Sequence, residues 1–157
     1  MNAIKVGVYI DAPPSRVWQT LMDFAAYPEW NPFVVKIDGE PSVGQRLRVR
    51  LKPPNAAELM IRPTVLALEE GIEFRWLGHF IASGLFDGEH AFTLESLEGG
   101  RTLFWQHKLF AGILVPQLES TIWGARYGFC DMNVSLKARL EGRQPPSEWE
   151  LDPMALG

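Results

Sequence analysis

Residues 115–141, VPQLESTIWGARYGFCDMNVSLKARLE, form the longest segment of the chain that keeps a single periodicity. Apolar side chains recur there at helical spacing: Leu118, Ile122, Phe129, Leu136 and Leu140. This stripe predicts an amphipathic helix of about seven turns, and Gly142 is suited to end it. A second stripe is expected to widen its apolar side: Trp123, Tyr127, Cys130 and Val134.

The segment before this helix alternates apolar and polar residues and is interrupted by short turns. Six strands are predicted there, over residues 33–37, 46–52, 58–69, 72–82, 84–95 and 102–110. Pro63, inside the third of them, indicates an edge position or a bulge. Consecutive strands joined by short turns favour an antiparallel meander.

The N-terminal segment adds one strand and two short helices. Residues 4–10 alternate as a half-buried strand does, and residues 11–24, DAPPSRVWQTLMDF, begin a short helix at two prolines. YPEWNPF, at 27–33, predicts a turn or a second short helix. The predicted fold is α+β: a curved antiparallel sheet of about seven strands around a long C-terminal helix, with two short helices after the first strand. Residues 1–141 form one domain, and residues 142–157 an irregular C-terminal tail.

The composition narrows the class of protein. The chain has 157 residues, 46% of them hydrophobic, which is typical of one globular domain. Its net charge of −4 argues against a nucleic-acid partner, which needs a basic surface. The single Cys130 excludes a disulfide framework. No apolar run approaches the length of a membrane span and no signal-peptide core precedes the first strand, so a cytoplasmic protein is expected.

Strand parity predicts which side chains face the long helix. If the turn after residue 80 places 79 opposite 87, and the next turn places 90 opposite 108, one face collects most of the aromatic side chains. That inner face comprises Ile61, Pro63, Val65, Phe74, Trp76, Phe80, Phe86, His90, Phe92, Leu94, Phe104, Gln106, Lys108 and Phe110.

Three polar groups stand out on this face: His90, Gln106 and Lys108. His90 is either a polar anchor for a ligand or a general base, with Lys108 orienting an oxygen. No carboxylate shares the face, and a nearby ammonium lowers the pKa of an imidazole, so the anchor interpretation is favoured. His79 and His107 point to the other face and lie roughly 13 Å apart, which is too far for one metal ion. No metal and no cofactor are predicted.

The order of elements resembles the helix-grip fold of the START-like superfamily, also called SRPBCC. It is most similar to the polyketide cyclase/dehydrase and lipid-transport branch. The stretches that carry the resemblance are IDAPPSRVWQTLMDFAAYPEWNPF, FRWLGHF with GLFDGEHAFTLE, LFWQHKLFAGILVP and MNVSLKARLE. The resemblance implies a deep hydrophobic cavity between the sheet and the long helix. It does not imply one activity, since a fold hosts many functions.

The leading hypothesis is therefore binding of a small hydrophobic molecule, for transport or sequestration. The predicted ligand-binding residues are Trp30, Phe74, Trp76, Phe86, His90, Phe92, Phe104, Gln106, Lys108, Phe110, Ile122 and Phe129. The alternative is a cyclase/dehydrase-like enzyme for a carbonyl-bearing substrate, with His90 and Lys108 as catalytic residues; a chaperone-activator type of interaction module is a third possibility. Trp30 is either a gate at the cavity mouth or a core residue under a turn. The expected state is a monomer or homodimer without membrane insertion.

Overall fold

The computed structural model describes residues 2–80 and 82–144. Three helices and eight strands are found in these ranges. The helices are α1 (Pro14–Met22), α2 (Tyr27–Trp30) and α3 (Glu119–Glu141), with 3-10 turns at Phe24–Ala26 and Val115–Leu118. The strands are β1 (Ala3–Ile10), β2 (Val34–Asp38), β3 (Arg48–Leu51), β4 (Leu59–Ile61), β5 (Thr64–Glu69), β6 (Glu73–Phe80), β7 (Phe86–Leu97) and β8 (Arg101–Ala111). The predicted α+β order is confirmed.

The strands form two antiparallel sheets rather than one. The larger has the order β1-β8-β7-β6-β5, and the smaller has the order β2-β3-β4. The single strand predicted over residues 58–69 was wrong, because the chain leaves one sheet and enters the other at Pro63. Pro63 has no N–H to donate to a ladder, but its carbonyl accepts a hydrogen bond from Leu47 at 2.9 Å. A bridge between Arg46 and Thr64 joins the two sheets at this point.

Helix α3 packs its apolar stripe on the larger sheet. The side chains of this stripe are buried: Ile122, Phe129, Met132, Leu136 and Leu140. The second predicted stripe was wrong for its two aromatic members, since Trp123 is 46% and Tyr127 50% exposed. Periodicity shows which side of α3 is apolar but not how much of that side the sheet covers. Trp123 and Tyr127 lie beyond the part of the helix surface that the sheet covers.

Two features fix α3 against the sheets. A Cβ atom on Gly128 would overlap the ring of Phe33, so the helix approaches β2 closely at this glycine. At the C-terminal end, Lys137 Nζ donates to the carbonyl of Tyr9 at 2.6 Å, and the backbone N–H of Asp11 donates to Glu141 at 3.2 Å. The last turn of the helix is thereby attached to the end of β1.

The helix ends as predicted. Gly142 has φ of 68°, the left-handed conformation that favours glycine. The N–H of Arg143 then returns to the carbonyl of Ala138 at 2.9 Å. Most of the tail predicted for residues 142–157 lies outside the described residues.

The strand register agrees with the predicted parity. His79 pairs with Asp87, and His90 pairs with Lys108. The inner face of the larger sheet is accordingly the aromatic one, and its side chains are buried: Phe74, Trp76, Phe86, His90, Phe92, Phe104, Gln106 and Phe110.

Candidate functional site

A cavity of about 570 Å³ lies between the first half of α3 and the sheets. Its floor comes from β6, β7 and β8, and its sides from β2, the end of β3, β4 and the β3–β4 loop. The lining residues are predominantly apolar. They include Phe33, Val34, Leu51, Pro53, Pro54, Leu59, Ile61, Trp76, Phe86, Phe110, Leu118, Ala125 and Phe129. The size is that of a typical site for a small molecule.

Few polar groups reach this cavity, and two of them are adjacent on the floor. His90 and Lys108 are cross-strand neighbours on β7 and β8, and both line the space. The remaining polar side chains of the lining belong to other elements: Asn55, His79, Ser120 and Thr121. Among the described residues that line the cavity there is no carboxylate.

The imidazole of His90 is positioned by a chain of hydrogen bonds through the side-chain amide of Gln106, which we call the Gln106 relay. Its Nε2 lies 2.9 Å from Oε1 of Gln106. Gln106 Nε2 donates to the carbonyl of Phe129 at 3.1 Å and to Oδ1 of Asn133 at 2.7 Å. Because the amide nitrogen is committed to these two acceptors, Oε1 is the acceptor for His90, and His90 carries its proton on Nε2. Nδ1 is then the ring nitrogen with a free lone pair.

The surroundings of His90 keep it neutral. The imidazole is 1% exposed, stacks on Phe92 with 4.2 Å between ring centroids and touches Phe129 at 4.6 Å. Burial among these rings, reinforced by the ammonium of Lys108, holds the pKa of His90 well below its usual range. A neutral imidazole accepts a hydrogen bond at Nδ1 but carries no charge with which to attract an anion.

Lys108 supplies the positive charge on the cavity floor that the neutral His90 lacks. Its stem lies over Gly88 on the neighbouring strand, where an added Cβ would stand 2.5 Å from Cε and 3.0 Å from Nζ. Its Nζ lies 5.6 Å from the centre of the Phe110 ring, and no described residue forms an ion pair with it. Burial in these apolar surroundings lowers the pKa of Lys108 to about 8.

Trp76 completes a row across three strands. It pairs with His90, which pairs with Lys108, so the three side chains stand side by side on the cavity floor. The indole of Trp76 is T-shaped to the His90 ring at 5.4 Å. Its Nε1 is buried and has no hydrogen-bond partner among the described residues. We refer below to Trp76, His90 and Lys108 as the polar row.

His79 and Asp87 form a second polar pair near the cavity. His79 Nδ1 lies 2.7 Å from Asp87, which also accepts from the backbone N–H of Gly84 at 3.0 Å. The hydrogen bond with His79 is the main cause of a lowered pKa of Asp87. Since His79 and Asp87 are partners of each other, this carboxylate is already engaged outside the polar row.

Six of the twelve predicted ligand-binding residues line the cavity: Trp76, Phe86, His90, Lys108, Phe110 and Phe129. Five others are fully buried and do not border it: Phe74, Phe92, Phe104, Gln106 and Ile122. Of these, Phe92 and Gln106 contact His90 and position it. The other three belong to the core between sheet and helix, because α3 closes on the sheet there.

Trp30 lies away from the cavity. It borders a separate depression at the C-terminal half of α3, together with Ser135 and Arg139. Its ring packs on Tyr27 at 5.0 Å. Of the two interpretations of Trp30, the gate at the cavity mouth is therefore contradicted, because the cavity reaches α3 through the opposite half of the helix, at residues 118–125.

Sequence reasoning missed the residues that close the cavity from outside the larger sheet. These are the loop residues Pro53, Pro54, Asn55 and Ala56, the small helix residues Ser120, Thr121 and Gly124, and Phe33. The PPN run in the β3–β4 loop was the available signal, as prolines favour a stiff, extended connection. Which element it would face depends on how the smaller sheet folds over, and that is a tertiary property.

Residues 2–80 and 82–144 contain neither a metal-binding cluster nor a membrane-spanning helix. No group of three or more histidine, cysteine, aspartate or glutamate side chains is placed to hold a metal ion. None of the described helices combines the length and the apolar character that crossing a bilayer demands.

Comparison with known proteins places the chain in a family. The sequence model for polyketide cyclase / dehydrase and lipid transport proteins matches residues 1–129. The chain belongs to this family. No curated protein matches it significantly.

Solved structures agree on the fold. The protein MLL2253 from Mesorhizobium loti is 21% identical with a TM-score of 0.70, over 90% of this chain and 98% of that one. A START superfamily protein from Mycobacterium smegmatis is 17% identical with a TM-score of 0.66, over 90% and 99%. The di-domain aromatase/cyclase BexL of the BE-7585A biosynthetic pathway is 14% identical with a TM-score of 0.69, over 90% and 50%. At these identities the likeness shows a START-like fold.

Proposed function

We propose that this member of the family binds a small, mainly apolar molecule in the cavity beneath α3 and releases it unchanged. The observation that carries this proposal is the cavity itself, which is lined mainly by apolar side chains and has the polar row on its floor. Such a site binds most of a ligand's surface by apolar contact and uses the polar groups to orient it. A fatty or polycyclic molecule of moderate size fits this description.

The arrangement of titratable groups favours binding over catalysis. General acid–base chemistry needs a donor and an acceptor whose pKa values lie near the working pH. Lys108, with a pKa of about 8, meets this condition, but the pKa of His90 is well below its usual range, and no carboxylate among the described lining residues raises its basicity. The Gln106 relay orients the ring but, as an amide, cannot take up a proton.

Native mass spectrometry of the full chain tests the proposal. We expect the purified protein to retain one small molecule, or to take up one equivalent of the apolar probe N-phenyl-1-naphthylamine after delipidation. Bound probe should fluoresce more strongly because the cavity excludes water. A chain that carries nothing and leaves probe fluorescence unchanged would refute the proposed function.

A second candidate function is supported by one observation, the pairing of Lys108 with His90 across neighbouring strands of the cavity floor. A carbonyl oxygen near Nζ would be polarised, and Nδ1 could accept a proton from the adjacent carbon. That is the chemistry of a cyclase or dehydrase acting on a folded carbonyl substrate. Turnover of a short poly-β-ketothioester, abolished by both His90→Ala and Lys108→Ala, would establish it in place of simple binding.

Other properties of the protein stay predictions from the sequence. A cytoplasmic location and a monomeric or homodimeric state are the expected ones. Neither is needed for the cavity to bind a ligand, since its described lining comes from a single chain.

A further inference from the structure

We infer that the ligand is an amphipathic acid whose anionic head group is bound by the polar row. Gly88 leaves free the space in which the Lys108 side chain lies. This inference rests on the proposed function, because it names the class of molecule that the cavity takes. It comes from three observations: an ammonium and an indole N–H that have no partner in the part of the chain that the structure describes, and a glycine inside a strand.

The ammonium of Lys108 has no anionic partner among residues 2–80 and 82–144. The described ion pairs of the chain do not include it, and the groups around it are Gly88 and Phe110 on the sheet and the neutral His90. The described residues by which α3 and its preceding turn line the cavity carry no charge: Leu118, Ser120, Thr121, Gly124, Ala125 and Phe129. A charge partly removed from water is costly unless it is paired. A carboxylate brought by the ligand would supply the missing partner.

Trp76 adds a second unsatisfied donor in the same row. A buried indole N–H usually has an acceptor, yet Nε1 of Trp76 has none among the described residues. Neighbouring strands lie about 4.8 Å apart, so Trp76 and Lys108 stand two strand spacings from each other across His90. Since Nε1 is buried and the Lys108 side chain is partly exposed, the ammonium is the group that selects the head group, and it favours an acid over an alcohol or an amine.

Gly88 makes the position of Lys108 possible. Glycine inside a strand weakens the sheet and often marks a place where another group approaches closely. Here the approaching group is the Lys108 stem, which occupies the space that a side chain at position 88 would fill. Gly88 itself borders the cavity. Gly88 is therefore a specificity-determining position: any larger residue would push the ammonium off the cavity floor.

Matched ligands test the inference. Decanoate, 1-decanol and decylamine share one apolar chain and differ in the head group. For the wild-type full chain near neutral pH, displacement of N-phenyl-1-naphthylamine should show decanoate binding about tenfold more tightly than decanol, the ratio set by one charged hydrogen bond. Decylamine should bind least well, because its ammonium would face that of Lys108.

Two variants assign the preference to the polar row. Lys108→Met keeps the length and apolar stem, so it should lose the preference for decanoate while binding decanol as well as before or better. Gly88→Ala should reduce the preference with the lysine still present. Circular dichroism verifies that both variants fold, and Lys108→Gln serves as a second test if the methionine variant does not.

The outcomes separate this inference from the proposed function. Equal binding of decanoate and decanol by the wild type, or a preference for decanoate that survives in Lys108→Met, would overturn the inference and leave apolar binding intact. Failure of all three ligands and of the probe to bind would refute the proposed function as well.

Discussion

Oε1 of Gln106 accepts a hydrogen bond from Nε2 of His90 at 2.9 Å, and Nε2 of Gln106 donates to the carbonyl of Phe129 on α3 at 3.1 Å. The relay connects the cavity floor to the helix that forms the cavity roof. It also sets the tautomer of His90, leaving Nδ1 as the acceptor. The tautomer of His90, which lines the cavity, is thus determined by a residue that does not itself border the cavity.

Removing this amide should destabilise the fold. Gln106→Leu leaves the buried imidazole N–H of His90 and the buried Oδ1 of Asn133 without partners, and we expect a loss of about 1–3 kcal/mol in the free energy of unfolding. Urea denaturation measures it. Gln19→Leu, at an exposed position of α1, is the control and should change stability by less than about 0.5 kcal/mol. Equal effects of the two substitutions would contradict the relay.

The neutrality of His90 predicts a dependence of stability on pH. Its pKa is lowered by burial in the folded state, so below the ordinary value of 6.5 the unfolded chain binds a proton that the folded chain does not. Stability should therefore fall as pH drops below that value. His107, whose pKa is also lowered by burial, contributes in the same direction. Urea titrations at several pH values should show a shallower fall for His90→Gln, and an unchanged slope would argue against a neutral His90.

The ammonium of Lys108 predicts a second pH dependence, that of ligand binding. The pKa of Lys108 is about 8 in the free protein, and a bound carboxylate would raise it. Affinity for decanoate should then be constant up to about pH 8 and fall by about tenfold per pH unit above it. His90 is already neutral in this range. Affinity for decanol and the behaviour of Lys108→Met should be flat, and a parallel loss of decanol binding would indicate general unfolding instead.

Two glycines one helical turn apart on α3 should respond in opposite ways to alanine. At Gly128 a Cβ would overlap the Phe33 ring, and we expect Gly128→Ala to cost about 1–3 kcal/mol through overpacking. At Gly124 a Cβ meets open space, so Gly124→Ala should gain about 0.5–1 kcal/mol from helix propensity. Thermal unfolding of both variants gives the comparison. The same sign for both would contradict the close approach of α3 to β2.

The attachment of α3 to β1 depends on a charged glutamate. Hydrogen bonds from Lys137, Arg143 and the Asp11 backbone lower the pKa of Glu141 to about 2 despite its burial. This stabilisation is present above the ordinary pKa of 4.5 and is lost as pH falls towards 2. Glu141→Gln should cost about 1–2 kcal/mol at neutral pH. The exposed pair of Glu29 and Arg139 provides the control, since Glu29→Gln should cost less than about 0.5 kcal/mol.

Much of the sheet could be predicted because its register follows from short turns. Once His79 opposes Asp87 and His90 opposes Lys108, the aromatic face is determined, and alternation carries the assignment along each strand. Helix α3 was equally predictable, because the apolar stripe from Ile122 to Leu140 keeps one helical period over its length. Local periodicity and turn length both depend only on residues that are close in sequence, so both can be predicted from the sequence.

The cavity was harder to predict from the sequence, because its position depends on where α3 and the sheets separate. Whether Phe104 or Phe110 borders the cavity is decided by how α3 diverges from the sheet, and no periodicity encodes that divergence. The same holds for the break at Pro63, which turns one apparent strand into two and allows the smaller sheet to fold over the floor. Trp30 was misplaced for this reason: its aromatic character was evident, but the half of the helix it contacts was not.

The central claim is that the space beneath α3 holds the ligand, and filling that space tests it most directly. Gly124 borders the cavity, and a Cβ added there meets no neighbour within 4 Å. Gly124→Phe should therefore place a ring in the cavity, while Gly124→Ala is the matched control. We predict that Gly124→Ala binds N-phenyl-1-naphthylamine as the wild type does, whereas Gly124→Phe loses affinity by at least about tenfold. Undiminished binding by a folded Gly124→Phe variant would contradict the account.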